Sequence, residues 1–146
     1  MKLNLNRPQK GVEICYNRKM NKKVLSLDFD GVCNLYTSGW QGADVISDDA
    51  VPGLFEFLEK ATEQFDVQIY SSRTNIEGGK EAMENWFIQQ RKKWLDAGGQ
   101  GRENLDISFP TKKPAAFIGL DDRVLTFDGT FPDIDTMINF RPWNKK

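Results

Sequence analysis

The chain reads as short apolar runs alternating with longer apolar stripes at helical spacing. Val24-Leu25-Ser26-Leu27 is a run of strand formers that drives straight into Asp28-Phe29-Asp30-Gly31-Val32. Val51, Leu54, Phe55, Leu58, Ala61 and Phe65 form one stripe, with Pro52 in the first turn, and predict a helix over residues 51–65. Val67-Gln68-Ile69-Tyr70 predicts a short strand that ends at Ser71-Ser72-Arg73-Thr74. A second helix is expected over residues 80–96, with Ala82, Met83, Trp86, Phe87, Trp94 and Leu95 inward and Gly98-Gly99 closing it. Residues 105–109 and 116–120 predict strands, the latter running into Asp121-Asp122-Arg123, and residues 124–127 predict one more. The tail from Pro132 leaves a helix open through Ile134, Met137, Ile138 and Phe140. Strands alternating with helices imply an α/β domain of three layers around a mainly parallel sheet.

The acids after the first strand carry the chemical information. A buried strand cannot take Asp28 and Asp30 through a core without a large desolvation cost, so they belong where the strand emerges. In open α/β sheets ligands bind at the carboxyl ends of the strands. Gly31 lets the chain turn there, so both side chains can converge. Two carboxylates ~4 Å apart repel by roughly 4 kcal/mol at an effective dielectric near 20, which a divalent cation or a shared proton relieves. Asp-Gly is also a common turn signal, and a plain turn is the alternative. An EF-hand start does not fit, because Gly31 falls at the fourth position instead of the sixth and no glutamate closes a twelve-residue loop.

Composition narrows the chemistry further. At 146 residues the chain fits one domain, expected over residues 24–146 behind a basic extension of residues 1–23. It has no histidine, which excludes Ser-His and Cys-His nucleophile pairs and His-ligated zinc. Cys15 and Cys33 match no metal or redox spacing. Their pattern makes a reducing, cytoplasmic setting the expectation; no apolar stretch approaches the ~20 residues of a membrane span, and no basic-then-apolar leader opens the chain. Residues 1–23 carry seven Lys/Arg against Glu13 alone, a balance of +6, and the remainder carries −7. That arm could touch nucleic acid, form a solvated leader, or precede a start at Met20.

Asp28-Phe29-Asp30-Gly31-Val32, Ser71-Ser72-Arg73, Lys113-Pro114 and Asp121-Asp122-Arg123 resemble, in order, the four signature motifs of the haloacid dehalogenase (HAD) superfamily. The resemblance spans residues 24–123, and the string around Ser38-Gly39-Trp40-Gln41-Gly42 is similar to small, uncharacterised members from bacteria and phages. It implies a three-layer HAD-like Rossmannoid and a phosphatase, with Asp28 as nucleophile and Asp30 as the acid and base. It further implies Mg²⁺ bound by the Asp28 carboxylate, the Asp30 backbone carbonyl and Asp121, with Asp122 direct or through water. Ser71, with Ser72 as the alternative, would meet a phosphoryl oxygen, and Lys113, with Lys112 as the alternative, would neutralise charge. Members that break carbon–halogen bonds generally lack the second acid, so Asp30 favours phosphoryl transfer.

The intervals between motifs leave no room for a substantial cap domain. Capless relatives often act on macromolecular ends, which makes a nucleotide or a nucleic-acid 3′-phosphate the expected substrate. A small metabolite enclosed by an oligomer partner is one alternative, and a HAD-fold binding module without turnover is another. Trp40, in a flap-like segment of glycines and aromatics over residues 33–50, is the candidate for stacking on substrate. Arg73 and Arg123 are either substrate contacts or ion-pair partners of nearby acids.

Overall fold

A computed structural model describes residues 21–145; the basic segment of residues 1–20, with Cys15, lies outside them. Four strands form one all-parallel sheet: β1 Lys23–Leu27, β2 Phe65–Ile69, β3 Ile107–Ser108 and β4 Ile118–Leu120, in the order β3-β2-β1-β4. Two long helices alternate with them, α1 Leu54–Gln64 and α2 Gly79–Asp96, and a short helix α3 Ile134–Ile138 follows β4. The chain is therefore an α/β protein with a parallel sheet. Among the described residues no helix is long and apolar enough to cross a membrane.

Register decides which side chains share a face. Leu25 pairs with Val67 and Ile118, and Leu27 with Ile69 and Leu120, so these six point to one side. Ser26, Gln68 and Gly119 point to the other. The apolar side packs against Leu54, Phe55, Leu58 and Ala61 of α1 and Met83, Trp86 and Phe87 of α2 in one continuous core. The Phe55 ring stacks on Trp94 at 5.6 Å, which ties α1 to α2. Both helices belong to the β1-α1-β2-α2-β3 run, whose right-handed crossovers advance in one direction and keep them on one face. Their cover ends before β4, where Ile118 is 50% exposed although its ladder partner Leu25 is 4% exposed.

The elements differ from the sequence expectation in several places. The first helix starts at Leu54 because Gly53 takes a left-handed conformation at its N-cap. Phe65, expected in the first helix, opens β2 instead, and the strand expected over residues 105–109 is confined to Ile107–Ser108. Leu95, expected inward, is exposed on the last turn of α2. Residues 124–127 form no strand. The Asp121 carboxylate accepts the Arg123 N–H at 2.8 Å, and this turn bends the chain away from the sheet as β4 ends. The tail does form a helix at Ile134–Ile138, capped by Asp133, which accepts the Thr136 N–H at 3.2 Å.

Candidate metal centre and its supporting loop

The β1–β4 ladder builds the centre. The Asp28 N–H donates to the Leu120 carbonyl at 2.9 Å, so the residue after β1 lies beside the residues after β4. Carboxylate oxygens of Asp28, Asp121 and Asp122 all lie within 4.8 Å of one another. Phe29, between the two acids of the first motif, points the opposite way. It is fully buried, edge-on to Trp86 with ring centroids 5.0 Å apart, and so anchors the turn to α2.

Two observations show that the three carboxylates fit a cation. Both oxygens of Asp122 are buried and have no hydrogen-bond partner. Arg123 Nε stands 3.8 Å from Asp122 Oδ2, beyond hydrogen-bonding range. Buried oxygens of this kind are costly unless a cation fills them or a proton on the Asp28 carboxyl bonds to them. Burial, then the charge of Asp121, pushes the Asp28 carboxyl up to about 8, and the neighbouring Asp122 carboxyl adds to this. An all-oxygen donor set suits a hard divalent ion.

Asp30 lies outside this cluster and belongs to Arg73. Arg73 is 1% exposed. Its Nε donates to Asp30 Oδ2 at 2.9 Å and Oδ1 at 3.2 Å, and its second terminal nitrogen donates to Oδ1 at 3.0 Å. Asn34 Nδ2 also donates to Oδ1, at 3.0 Å. The other terminal nitrogen of Arg73 donates to the carbonyls of Gly42, Ala43 and Val45 at 2.8, 2.9 and 3.2 Å. Of the two roles expected for Arg73, substrate contact or ion pair, the structure gives the ion pair.

The expected flap is an ordered loop. Its Leu35 N–H donates to the Asp49 carbonyl, Trp86 Nε1 donates to the Asp48 carbonyl, and Thr37 and Ser38 donate to the Asp48 carboxylate. Trp40 is half exposed, with the Arg73 guanidinium 4.7 Å from its ring centre. Tyr36 holds a left-handed backbone with φ 53, uncommon for a residue with a side chain. Burial pushes its phenol up, and the charge of Asp30 adds to this.

Ser71 follows β2, where the Tyr70 N–H donates to the Leu27 carbonyl, and it is buried. Its Oγ accepts the Arg73 N–H at 3.2 Å and caps a 3-10 turn, Ser72–Asn75, while its own proton remains free to donate. Lys112 and Lys113 are exposed on the loop after β3, which Asn75 Nδ2 holds through the Thr111 carbonyl at 2.8 Å. Among the described residues no ion pair joins either lysine to the three clustered aspartates. Cys33 is buried, and its thiol donates to the Asp28 carbonyl at 3.3 Å.

Several supports had no signal in the sequence. Asn34 holds Asp30, Trp143 Nε1 donates to the Gly31 carbonyl at 2.7 Å, and Asn144 Nδ2 donates to the Leu35 carbonyl at 2.8 Å. The last two cross more than a hundred residues of sequence, and no local pattern encodes them. Compared with protein-family models, with curated proteins and with solved structures, the chain matches none.

Proposed function

We propose that this protein is a Mg²⁺-dependent phosphatase of the HAD superfamily, which hydrolyses a phosphate monoester through an aspartyl-phosphate on Asp28. The observation that carries the reading is the convergence of Asp28, Asp121 and Asp122 around the unfilled oxygens of Asp122. Asp28, Asp121 and Asp122 would hold the ion, with the Asp30 backbone carbonyl as a further ligand. Bound there, Mg²⁺ supplies positive charge against the phosphoryl oxygens and against the crowded carboxylates.

The remaining chemistry falls to the chain. A carboxylate oxygen of Asp28 attacks phosphorus as the ester P–O bond breaks. Asp30 gives its proton to the departing alkoxide, then takes one from the water whose oxygen attacks phosphorus and frees Asp28 and inorganic phosphate. Oδ2 is the oxygen suited to carry that proton. It accepts a single N–H, from Arg73 Nε, whereas Oδ1 accepts three. Ser71 Oγ–H donates to a phosphoryl oxygen, and Lys113 swings in to neutralise charge.

The exposed ring of Trp40, backed by the Arg73 guanidinium, favours a planar group on the leaving side, hence a nucleotide or a nucleic-acid 3′-phosphate. Hydrolysis of p-nitrophenyl phosphate tests the core of the reading. Release that requires Mg²⁺, stops with EDTA and is abolished by Asp28→Asn supports it. Release that survives Asp28→Asn refutes it.

A further inference from the structure

Arg73 is the largest side chain among those that are fully buried, and its bonds run in two directions. One edge of the guanidinium grips Asp30; the opposite end gathers three backbone carbonyls of the loop before α1. Backbone geometry holds it from behind. The Arg73 N–H donates to Ser71 Oγ, and its carbonyl accepts from Ile76 at 3.1 Å. A Cβ at position 79 would collide with that same carbonyl, so Gly79 lets the first turn of α2 press against it. The planar fork of arginine can serve both sides at once; the point charge of lysine cannot.

We propose that Arg73 is a positioning residue that couples the order of the Tyr36–Asp48 loop to the orientation of the Asp30 carboxylate. When the loop carbonyls are in place, the guanidinium is fixed, and with it Asp30. When the loop opens, the guanidinium loses three acceptors and Asp30 loses its fixed rotamer. The same coupling runs backwards: removing the Asp30 carboxylate loosens a loop to which it makes no hydrogen bond from Thr37 to Asp48. A ligand seated on Trp40 would thereby set the proton-carrying group. The kinetic side of this inference rests on the phosphatase reading; the structural side does not.

Hydrogen–deuterium exchange on the full chain decides it, comparing wild type with Asp30→Asn, Asp30→Ala and Arg73→Lys. The amides to follow are Gly39 and Val45, which bond within the loop to Tyr36 and Gly42, with the β1 and β2 amides as a control for an intact fold. Exchange at Gly39 and Val45 is expected to rise about tenfold or more in Asp30→Ala and in Arg73→Lys, less in Asp30→Asn, with the strands unchanged. Unchanged loop exchange in both Asp30 variants overturns the coupling. For turnover, Arg73→Lys is expected to lower kcat about tenfold to a hundredfold with Mg²⁺ affinity held within about twofold. An unchanged kcat overturns the positioning role. A wild type that hydrolyses no ester overturns the phosphatase reading, and the exchange result still decides the coupling.

Discussion

Gly31 and Asp122 are in direct contact: a Cβ on residue 31 would occupy the space of Asp122 Oδ2. The glycine also holds φ at 81, where a side chain is strained. The glycine of the first motif therefore shapes the seat of the last aspartate. Gly31→Ala should cost about 1 kcal/mol in strain alone, and more as Asp122 is displaced. Titration calorimetry should show Mg²⁺ affinity falling by about tenfold to a hundredfold. Wild-type affinity in a folded Gly31→Ala protein would remove Asp122 from the proposed metal site.

Asp28 makes the metal-free protein sensitive to pH. Its carboxyl is raised to about 8 from an ordinary 3.8, so the native state keeps a proton that the unfolded chain has released. Between those values the native state binds more protons, and unfolding free energy falls as pH rises. The contribution is fully present below the unfolded value and gone once pH passes about 8. Urea midpoints in EDTA should therefore drop from pH 5 to pH 9, and Asp28→Asn should flatten the drop. Mg²⁺ at about 100 times its Kd should restore about 2.7 kcal/mol, most visibly at the alkaline end. A slope unchanged by Asp28→Asn would assign the effect to another group.

Phe29 joins the site to the core. Its ring is fully buried against Trp86 and Phe87, so Phe29→Ala should cost about 3–5 kcal/mol, seen as a lower urea midpoint. Phe29→Leu retains most of the volume and should cost far less. Mg²⁺ affinity should follow the same order, because Asp28 is set by the packing of its neighbour.

Trp143 closes the Gly31–Leu35 turn from the far end of the chain. Trp143→Phe leaves the Gly31 carbonyl without that donor and should cost about 0.5–1.5 kcal/mol. The readout that separates this tie from general packing is amide exchange at Gly31 and Asn34, which should rise while α1 stays protected. Equal exchange in both proteins would make the indole contact incidental.

The elements of this fold were legible locally. The stripe from Leu54 to Ala61, the stripe from Met83 to Phe87 and the strand at Leu25–Leu27 each follow from periodicity, because burial selects apolar residues at the spacing of the element that buries them. Local pattern failed at residues 124–127. An apolar run needs a neighbouring strand to become one, and the Asp121 turn carries the chain away from the sheet.

The candidate site divides the same way. Local pattern alone places acids at the ends of two strands, since carboxylates cannot continue into a core. Which of them meet is a matter of strand register in the folded sheet, and the fold settles it. The β1–β4 register brings Asp28 to Asp121 and Asp122, whereas Asp30, one residue past Phe29, turns to Arg73. The fold also makes Arg73 a buried strut, a role that no spacing encodes. A charged side chain inside a fold is defined by the acceptors that surround it, and those come from segments about thirty to forty residues away in the chain.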